Sequence, residues 1–133
     1  MSFLDTSFVI DLLREQRRNL AGPARRKLEM MGDSPVRLSV FVVCELEAGA
    51  ALSRTPREAE TVRAFCEHCE IVYPDERFAQ VYGAKLAEIK RRGYSVATMD
   101  LLVATAALVD DDDLITRNLR DFQKIPGLRV ESY

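Results

Sequence analysis

Short apolar segments with strand character alternate with helix-period segments along the whole 133-residue chain, and this alternation limits the possible fold more than any other feature. Strands are predicted at residues 3–4, 36–40, 71–73, 114–116 and 128–130, and each of the first four precedes one or two helical segments. Such an order is typical of an α/β domain with a mostly parallel central sheet flanked by helices. Because we find no internal repeat and no linker, residues 1–133 are predicted to form a single domain.

Hydroxyl and acidic residues mark the predicted starts of the helices. Thr6 or Ser7 is expected to cap a helix from residue 8 to about residue 14. Asp75 is expected to be the N-cap of a long amphipathic helix that Gly93 ends, and Thr98 to cap an alanine-rich helix over residues 99–109. Residues 118–124 are predicted to form a turn or a short helix.

Composition excludes several classes of protein. No apolar run approaches the ~20 residues that a membrane span needs, so no membrane association is expected. The first residues show no basic stretch followed by an apolar one, and a cytoplasmic location is therefore expected. A formal net charge of -2 argues against a protein that holds nucleic acid by bulk electrostatics, although local basic patches remain compatible with it.

The three cysteines do not suggest a disulfide framework, because their number is odd. Cys66 and Cys69 form a lone C-x-x-C that contains the only histidine, His68, and Cys44 lies far from it in the sequence. Structural zinc sites of this kind usually combine two such clusters, so no zinc is expected.

Acidic and polar side chains stand where predicted strands end or where helices begin. Asp5 ends the first strand, Glu45 interrupts the apolar helix after the second, Asp100 lies in the first turn of the alanine-rich helix, and Asn118 and Asp121 follow the fourth strand. In an open α/β sheet ligands bind beyond the carboxyl ends of the strands, so these residues are expected to converge. Taken singly, Asp5 also suits a helix cap and Asp100 a helix N-terminus. A second acidic run, residues 110–113, is interpreted as a solvated turn.

Converging carboxylates repel one another, and a divalent cation among them relieves the repulsion. Ligands that are all oxygen suit Mg²⁺, with Mn²⁺ as a possible substitute. Such an ion activates water for phosphodiester hydrolysis without a side-chain nucleophile. This agrees with a chain that offers no convincing Ser-His or Cys-His pair.

Four segments, residues 3–7, 39–49, 100–106 and 115–122, together resemble the PIN-domain family, and specifically the VapC-type toxins of bacterial toxin-antitoxin pairs. The closing residues 125–130 also resemble the end of that family. The resemblance implies a magnesium-dependent endoribonuclease toxin that cleaves single-stranded regions of RNA. It further implies a cognate VapB-type antitoxin that blocks the site, and a homodimer.

The resemblance also implies roles for individual residues. Asp5, Glu45 and Asp100 match the acids that hold the metal and act in catalysis. Thr6 and Thr116 match hydroxyl positions that order the site or the scissile phosphate.

The fourth acidic position differs from that of many relatives, which have Asp where this chain has Asn118. Asp121 is the next acid and is predicted to be catalytic, while Asn118 and Arg117 are predicted to position the substrate. Whether Asn118 or Asp121 completes the site, and whether one or two ions bind, is left open by the sequence.

Two other classes of function are compatible with an acidic pocket on a parallel sheet. A receiver-like signalling domain would need paired acids after the first strand and a phosphorylatable Asp after the third, where this chain has Pro74-Asp75. A non-catalytic PIN-like binding module would keep the fold and bind the antitoxin without cleaving RNA.

Overall fold

A five-stranded sheet in which every neighbouring pair of strands is parallel organises the chain, and the computed structural model describes all 133 residues. The predicted α/β fold with a parallel sheet flanked by helices is confirmed. The elements are, in chain order, β1 (Ser2–Leu4), α1 (Thr6–Arg17), α2 (Pro23–Met30), β2 (Val36–Ser39), α3 (Val40–Leu52), α4 (Pro56–Glu67), β3 (Glu70–Val72), α5 (Phe78–Arg91), α6 (Thr98–Val109), β4 (Asp113–Ile115), α7 (Leu119–Phe122) and β5 (Val130–Glu131). No helix combines the length and the apolar character that crossing a membrane would require.

The strand order β3-β2-β1-β4-β5 places a topological switch point between β1 and β4. The chain moves outward from β1 through β2 to β3 and then crosses to the other side of β1 to form β4 and β5. Leu4 pairs with Ile115 at the carboxyl ends of the two central strands, and the backbone N–H of Asp5 donates to the carbonyl of Ile115 at 2.9 Å. Ligands of open α/β sheets bind outside the carboxyl ends of the strands at such a point, so Asp5 and Thr116 lie at the position where a site is expected.

The core is one cluster of 22 buried apolar residues, and the central strands lie in it. Phe3 and Leu4 of β1 and Leu114 and Ile115 of β4 are at most 1% exposed. Each fully buried side chain of this size contributes about 1.5–3 kcal/mol relative to an exposed one. The residues that follow these strands are therefore attached to the most firmly packed part of the chain.

Several helix boundaries differ from the sequence-based expectation, and the side chains that were expected to cap these helices form other hydrogen bonds. The N-cap position of α1 is Asp5 rather than Thr6 or Ser7, and α1 continues to Arg17 rather than ending near residue 14. The N-cap of α5 is Arg77 rather than Asp75, whose carboxylate instead accepts from the Arg77 backbone N–H at 2.8 Å.

The end of the chain also differs from the prediction. Thr98 is the first residue of α6 and Ala97 its N-cap. The last strand is Val130–Glu131 rather than residues 128–130, because the Leu128 backbone N–H is directed to the carbonyl of Ile125 and still belongs to a turn.

The acidic run at residues 110–113 is not the purely solvated turn that was expected. Its carboxylates form ion pairs with three arginines that come from distant parts of the sequence. These are Arg37 with Asp110 and Asp112, Arg77 with Asp110, and Arg129 with Asp111 and Asp113. The turn therefore joins β2, β4 and the segment before β5 at the end of the sheet opposite the switch-point edge.

Candidate active site at the carboxyl edge of the sheet

Asp5 is a buried carboxylate, 5% exposed, held by hydroxyl groups from two elements. Its Oδ2 accepts from Ser7 Oγ at 2.8 Å and from Thr116 Oγ1 at 2.7 Å. Both hydroxyl oxygens in turn accept backbone N–H groups, from Arg117 at 3.2 Å and Asn118 at 2.9 Å. Because every donor is used, Oδ2 is fixed, whereas Oδ1 accepts no hydrogen bond from the protein and is free for a ligand.

Glu45 is held beside Asp5 by the hydroxyl that was predicted to order the site. Thr6 Oγ1 donates to Glu45 Oε1 at 2.6 Å, which joins the first turn of α1 to the middle of α3. The start of α3 is fixed by Ser39, whose hydroxyl accepts from the Val42 backbone N–H at 3.3 Å. Glu45 is half-buried rather than enclosed, so this single hydrogen bond and solvent replace the ion pair that a buried carboxylate would need.

Asp100 lies in the first turn of α6 and is influenced by the other predicted acids. Burial raises the pKa of its carboxyl, and the charges of Asp5, Asp121 and Glu45 raise it further. The charges that act on Asp100 thus come from acids in three other parts of the sequence. Asp100 and Asp121 form no hydrogen bond, and both line a cavity of about 150 Å³.

The two residues proposed as alternatives for the fourth acidic position differ in placement. Asp121 lies next to Asp100, while Asn118 is exposed at the N-cap of α7 and contributes a backbone N–H to Thr116. Asp121, and not Asn118, lines the cavity that Asp100 also lines. Arg117 is turned toward α1, where its guanidinium donates to both oxygens of Asp11 at 2.9 and 3.1 Å.

Three residues around the site were not predicted from the sequence. Ser7 was considered only as a helix cap, although a hydroxyl two residues after a strand-end Asp is a usable signal. Asp11 accepts from Tyr133 Oη at 2.6 Å as well as from Arg117, and Tyr133 Oη also lies 3.3 Å from the Ser7 carbonyl oxygen. Burial and the hydrogen bond to Asp11 raise the pKa of Tyr133 above its usual value. The contacts of Asp11 and Tyr133 join residues more than 100 positions apart, and no local sequence pattern indicates them.

The four carboxylates fit a divalent cation in donor type. All are oxygen ligands, as Mg²⁺ and Mn²⁺ prefer, and their repulsion is the condition that a cation relieves. The side chains do not form a closed cage, because no group of three or more His, Cys, Asp or Glu residues is arranged to hold an ion without adjustment. Asp100 and Asp121, which no hydrogen bond fixes, are the two side chains free to turn.

All three cysteines are free thiols. Cys44 is exposed on α3, whereas Cys66 and Cys69 are half-buried at the end of α4. Burial raises the pKa of Cys69 to about 11, so this thiol is protonated at neutral pH and is a poor metal ligand in that state. The expectation of no zinc stays a prediction.

Known proteins similar to this chain share its length and its fold. The tRNA(fMet)-specific endonuclease VapC of Salmonella typhimurium is 29% identical over 131 residues, which cover 98% of this chain and 96% of that protein. Ribonuclease VapC1 of Haemophilus influenzae is 26% identical over 131 residues, with the same shares covered. The crystal structure of DNA-bound VapBC from Salmonella typhimurium matches with a TM-score of 0.88 and 29% identity, covering 98% of this chain and 96% of that chain.

A family model settles the choice between a receiver-like domain and the resemblance found in the sequence. The model described as PIN domain matches residues 2–128, nearly the whole chain. Asp75, the acid after β3 that a receiver would phosphorylate, instead pairs with Arg77 at 2.6 Å. The acids at the switch point, the strand order and the family match agree, and the chain belongs to the PIN domain family.

Proposed function

We propose that this chain is a metal-dependent endoribonuclease of the VapC type, which cleaves single-stranded regions of RNA. The observation that carries the proposal is that Asp100 lies within electrostatic reach of Asp5, Glu45 and Asp121 near the switch point of the sheet. Relatives of nearly the same length are named as ribonucleases. No Ser, Cys or His of the chain stands in a nucleophilic arrangement at this edge, which favours attack by water.

The acids are proposed to have different roles, according to how firmly hydrogen bonds hold their side chains. Asp5 and Glu45 are fixed by hydroxyl donors and would hold the ion, with Asp100 turning to complete its ligands. Mg²⁺ or Mn²⁺, when bound, would lower the pKa of the attacking water and neutralise charge on the phosphate. Asp121 is the proposed fourth catalytic acid, because it is the exposed carboxylate beside Asp100.

Thr116, Arg117 and Asn118 are proposed to act next to the RNA backbone. Thr116 keeps the Asp5 carboxylate oriented, and its neighbours carry a guanidinium and an amide to the rim of the site. Arg117 is exposed but already paired with Asp11, so a phosphate would share or replace that partner.

A VapB-type antitoxin is the proposed inhibitor. The similar structure from Salmonella typhimurium is a VapBC complex. On this chain a groove of about 180 Å³ between α1, α3 and α4 begins at Glu45 and is lined mainly by apolar side chains such as Ile10, Leu46 and Val62. A partner helix with its apolar face in this groove would cover Glu45 and exclude RNA. The homodimer implied by the family resemblance stays a prediction.

The test is cleavage of single-stranded RNA by the purified chain with Mg²⁺. Cleavage is expected with Mg²⁺ and is expected to stop in excess EDTA. Asp5→Asn and Asp100→Asn are each expected to lower kcat by at least about 100-fold, since even indirect metal partners cost 10–100-fold. Asp33→Asn is the control, because Asp33 is exposed between α2 and β2 and makes no hydrogen bond.

Two outcomes would contradict the nuclease proposal. One is wild-type cleavage that survives EDTA, and the other is an Asp5→Asn protein as active as the Asp33→Asn control. Intact folding of each variant is checked by circular dichroism. A folded wild-type protein that binds its antitoxin but cleaves no RNA would favour the non-catalytic binding module.

A further inference from the structure

Lys124 is the one half-buried basic side chain of the chain that has no carboxylate partner. Four basic residues are half-buried, and the other three are paired: Lys27 with Glu131 at 2.9 Å, Arg37 with Glu70, Asp110 and Asp112, and Lys85 with Glu88 at 3.5 Å. Partial burial removes hydration from an ammonium group, and proteins normally compensate this with a counter-charge. The fold leaves Lys124 without that compensation.

The cavity that Lys124 lines opens beside the proposed reaction centre. Its volume is about 150 Å³, and its walls also include Asp100, Asp121 and the turn at Ser95 that leads into α6. Lys124 nevertheless lies beyond ion-pair distance of both carboxylates, since neither forms a salt bridge with it. The cavity is therefore lined both by a lysine without an ion pair and by two acids of the site.

The position of the cavity relative to the sheet indicates which part of a ligand it would receive. Glu45 reaches the site from the β2 side of Asp5, whereas Asp121 and Lys124 follow β4. An RNA strand that has its scissile phosphate over Asp5 and runs toward the β4 side would bring its neighbouring nucleotide to the cavity lined by Asp100 and Asp121. Lys124 is the basic residue in the lining of that cavity.

We infer that the cavity between Asp100, Asp121 and Lys124 is a subsite for the nucleotide next to the scissile bond, and that Lys124 binds its internal phosphate. The inference rests on the proposed ribonuclease activity. Lys124 is thereby a substrate-binding residue that acts on affinity, because a phosphate contact fixes the strand without reading its sequence.

The test compares steady-state cleavage of a single-stranded oligoribonucleotide by the wild type, Lys124→Gln and Lys124→Arg at several salt concentrations. Lys124→Gln is expected to raise KM about 5–10-fold with kcat changed less than about 2-fold, and to make the salt dependence of log kcat/KM shallower by about 0.7. Lys124→Arg is expected to restore most of the loss. Lys90→Gln, which removes an exposed lysine of α5 without an ion pair, is the matched control.

Thermal unfolding separates binding from a structural role. Lys124→Gln is expected to leave the melting midpoint unchanged or higher, because an unpaired half-buried charge is removed. A lower midpoint together with unchanged KM would overturn the inference. Substrates with and without a 5′-phosphate are compared as well, and a loss confined to the phosphorylated substrate would overturn the assignment to an internal phosphate.

The failures of the two proposals are distinguishable in this design. If the wild type cleaves RNA and Lys124→Gln shows the same salt dependence of kcat/KM as the wild type, the subsite alone is overturned. A wild-type protein that cleaves no RNA overturns the ribonuclease proposal and the subsite with it.

Discussion

At the scale of single residues, two hydroxyl groups determine the orientation of Asp5. A hydrogen bond to a charged group contributes about 1.5–3 kcal/mol, and Asp5 Oδ2 accepts two of them. Both donors are buried and both accept a backbone N–H in return, so neither hydroxyl has an alternative use. The carboxylate is therefore positioned before any ligand arrives.

Thr116→Val is expected to remove a donor to Asp5 and the acceptor for Asn118 while keeping the shape of the side chain. Loss of the hydrogen bonds is expected to lower stability by about 1.5–3 kcal/mol and kcat by about 10–100-fold, as for other groups that orient metal-holding acids. Urea unfolding and RNA cleavage measure the two effects. Thr116→Ser keeps the hydroxyl and is expected to keep most of the activity. A Thr116→Ser protein as impaired as Thr116→Val would show that the methyl group matters instead.

The acids of the candidate site stand out in the sequence, whereas the side chains that form hydrogen bonds with them stand out only in part. Asp5, Glu45 and Asp100 stood out because a parallel sheet gathers strand-end and helix-start residues at one edge. Ser7 and Tyr133 did not, because their partners are chosen by tertiary structure across up to 126 residues. A sequence shows that a hydroxyl is present and does not show which acceptor lies beside it.

At the scale of elements, the turn between α6 and β4 acts as a junction. Arg37 of β2 donates to Asp110 at 2.8 Å and Asp112 at 2.9 Å, and its guanidinium carbon lies 5.4 Å from the centre of the Phe3 ring. The guanidinium is only 15% exposed, so the ion pairs are less screened than those of a surface arginine. The neighbouring acids, Glu70 first, raise the pKa of Arg37 and keep it charged.

Arg37→Met is expected to destabilise the fold by about 2 kcal/mol, between the values for exposed and buried ion pairs, because three carboxylates lose a common cation. The melting midpoint is expected to fall by about 6–10 °C. Arg25→Gln, which breaks an exposed pair with Glu29 within α2, is the control and is expected to cost less than about 0.5 kcal/mol. RNA cleavage at a permissive temperature is expected to stay intact, because Arg37 lies at the opposite end of the sheet from Asp5. An equal loss of stability in Arg37→Met and Arg25→Gln would contradict the role of this turn as a junction.

The order of elements was predicted correctly, whereas several of their ends were not. Hydrophobic periodicity and glycine positions locate the helices, and Gly93 indeed follows α5 with φ 78°. The predicted helix N-termini were wrong where a polar residue was assumed to cap the helix that follows it in the sequence. Glu15 of α1 shows the opposite case, since its carboxylate accepts the Ala24 and Arg25 backbone N–H groups and caps α2. Capping from another element leaves no local signature.

At the scale of the whole molecule, the strand order directs acids from distant parts of the chain toward one edge of the sheet. The acids come from the end of β1 and from α3, α6 and α7, and one core of 22 residues joins these elements. We therefore expect residues 1–133 to act as one unit. Because burial and neighbouring charges raise the pKa of Asp100, the folded chain holds this proton more tightly than the unfolded chain. Protonation of Asp100 favours folding below its ordinary pKa of 3.8, and this contribution is lost as pH rises through the raised value.

Asp100→Asn is therefore expected to stabilise the cation-free protein at neutral pH while abolishing its activity. Removal of one repelled charge is expected to contribute about 1 kcal/mol, which corresponds to a rise of about 3–5 °C in the melting midpoint. The advantage is expected to fade below about pH 4, where wild-type Asp100 is itself protonated. Adding Mg²⁺ is expected to reverse the order, because only the wild type gains the free energy of binding an ion in its native state. Differential scanning calorimetry in EDTA and in Mg²⁺ at both pH values measures this. A variant that melts below the wild type in EDTA at neutral pH would show that Asp100 supports the fold rather than straining it.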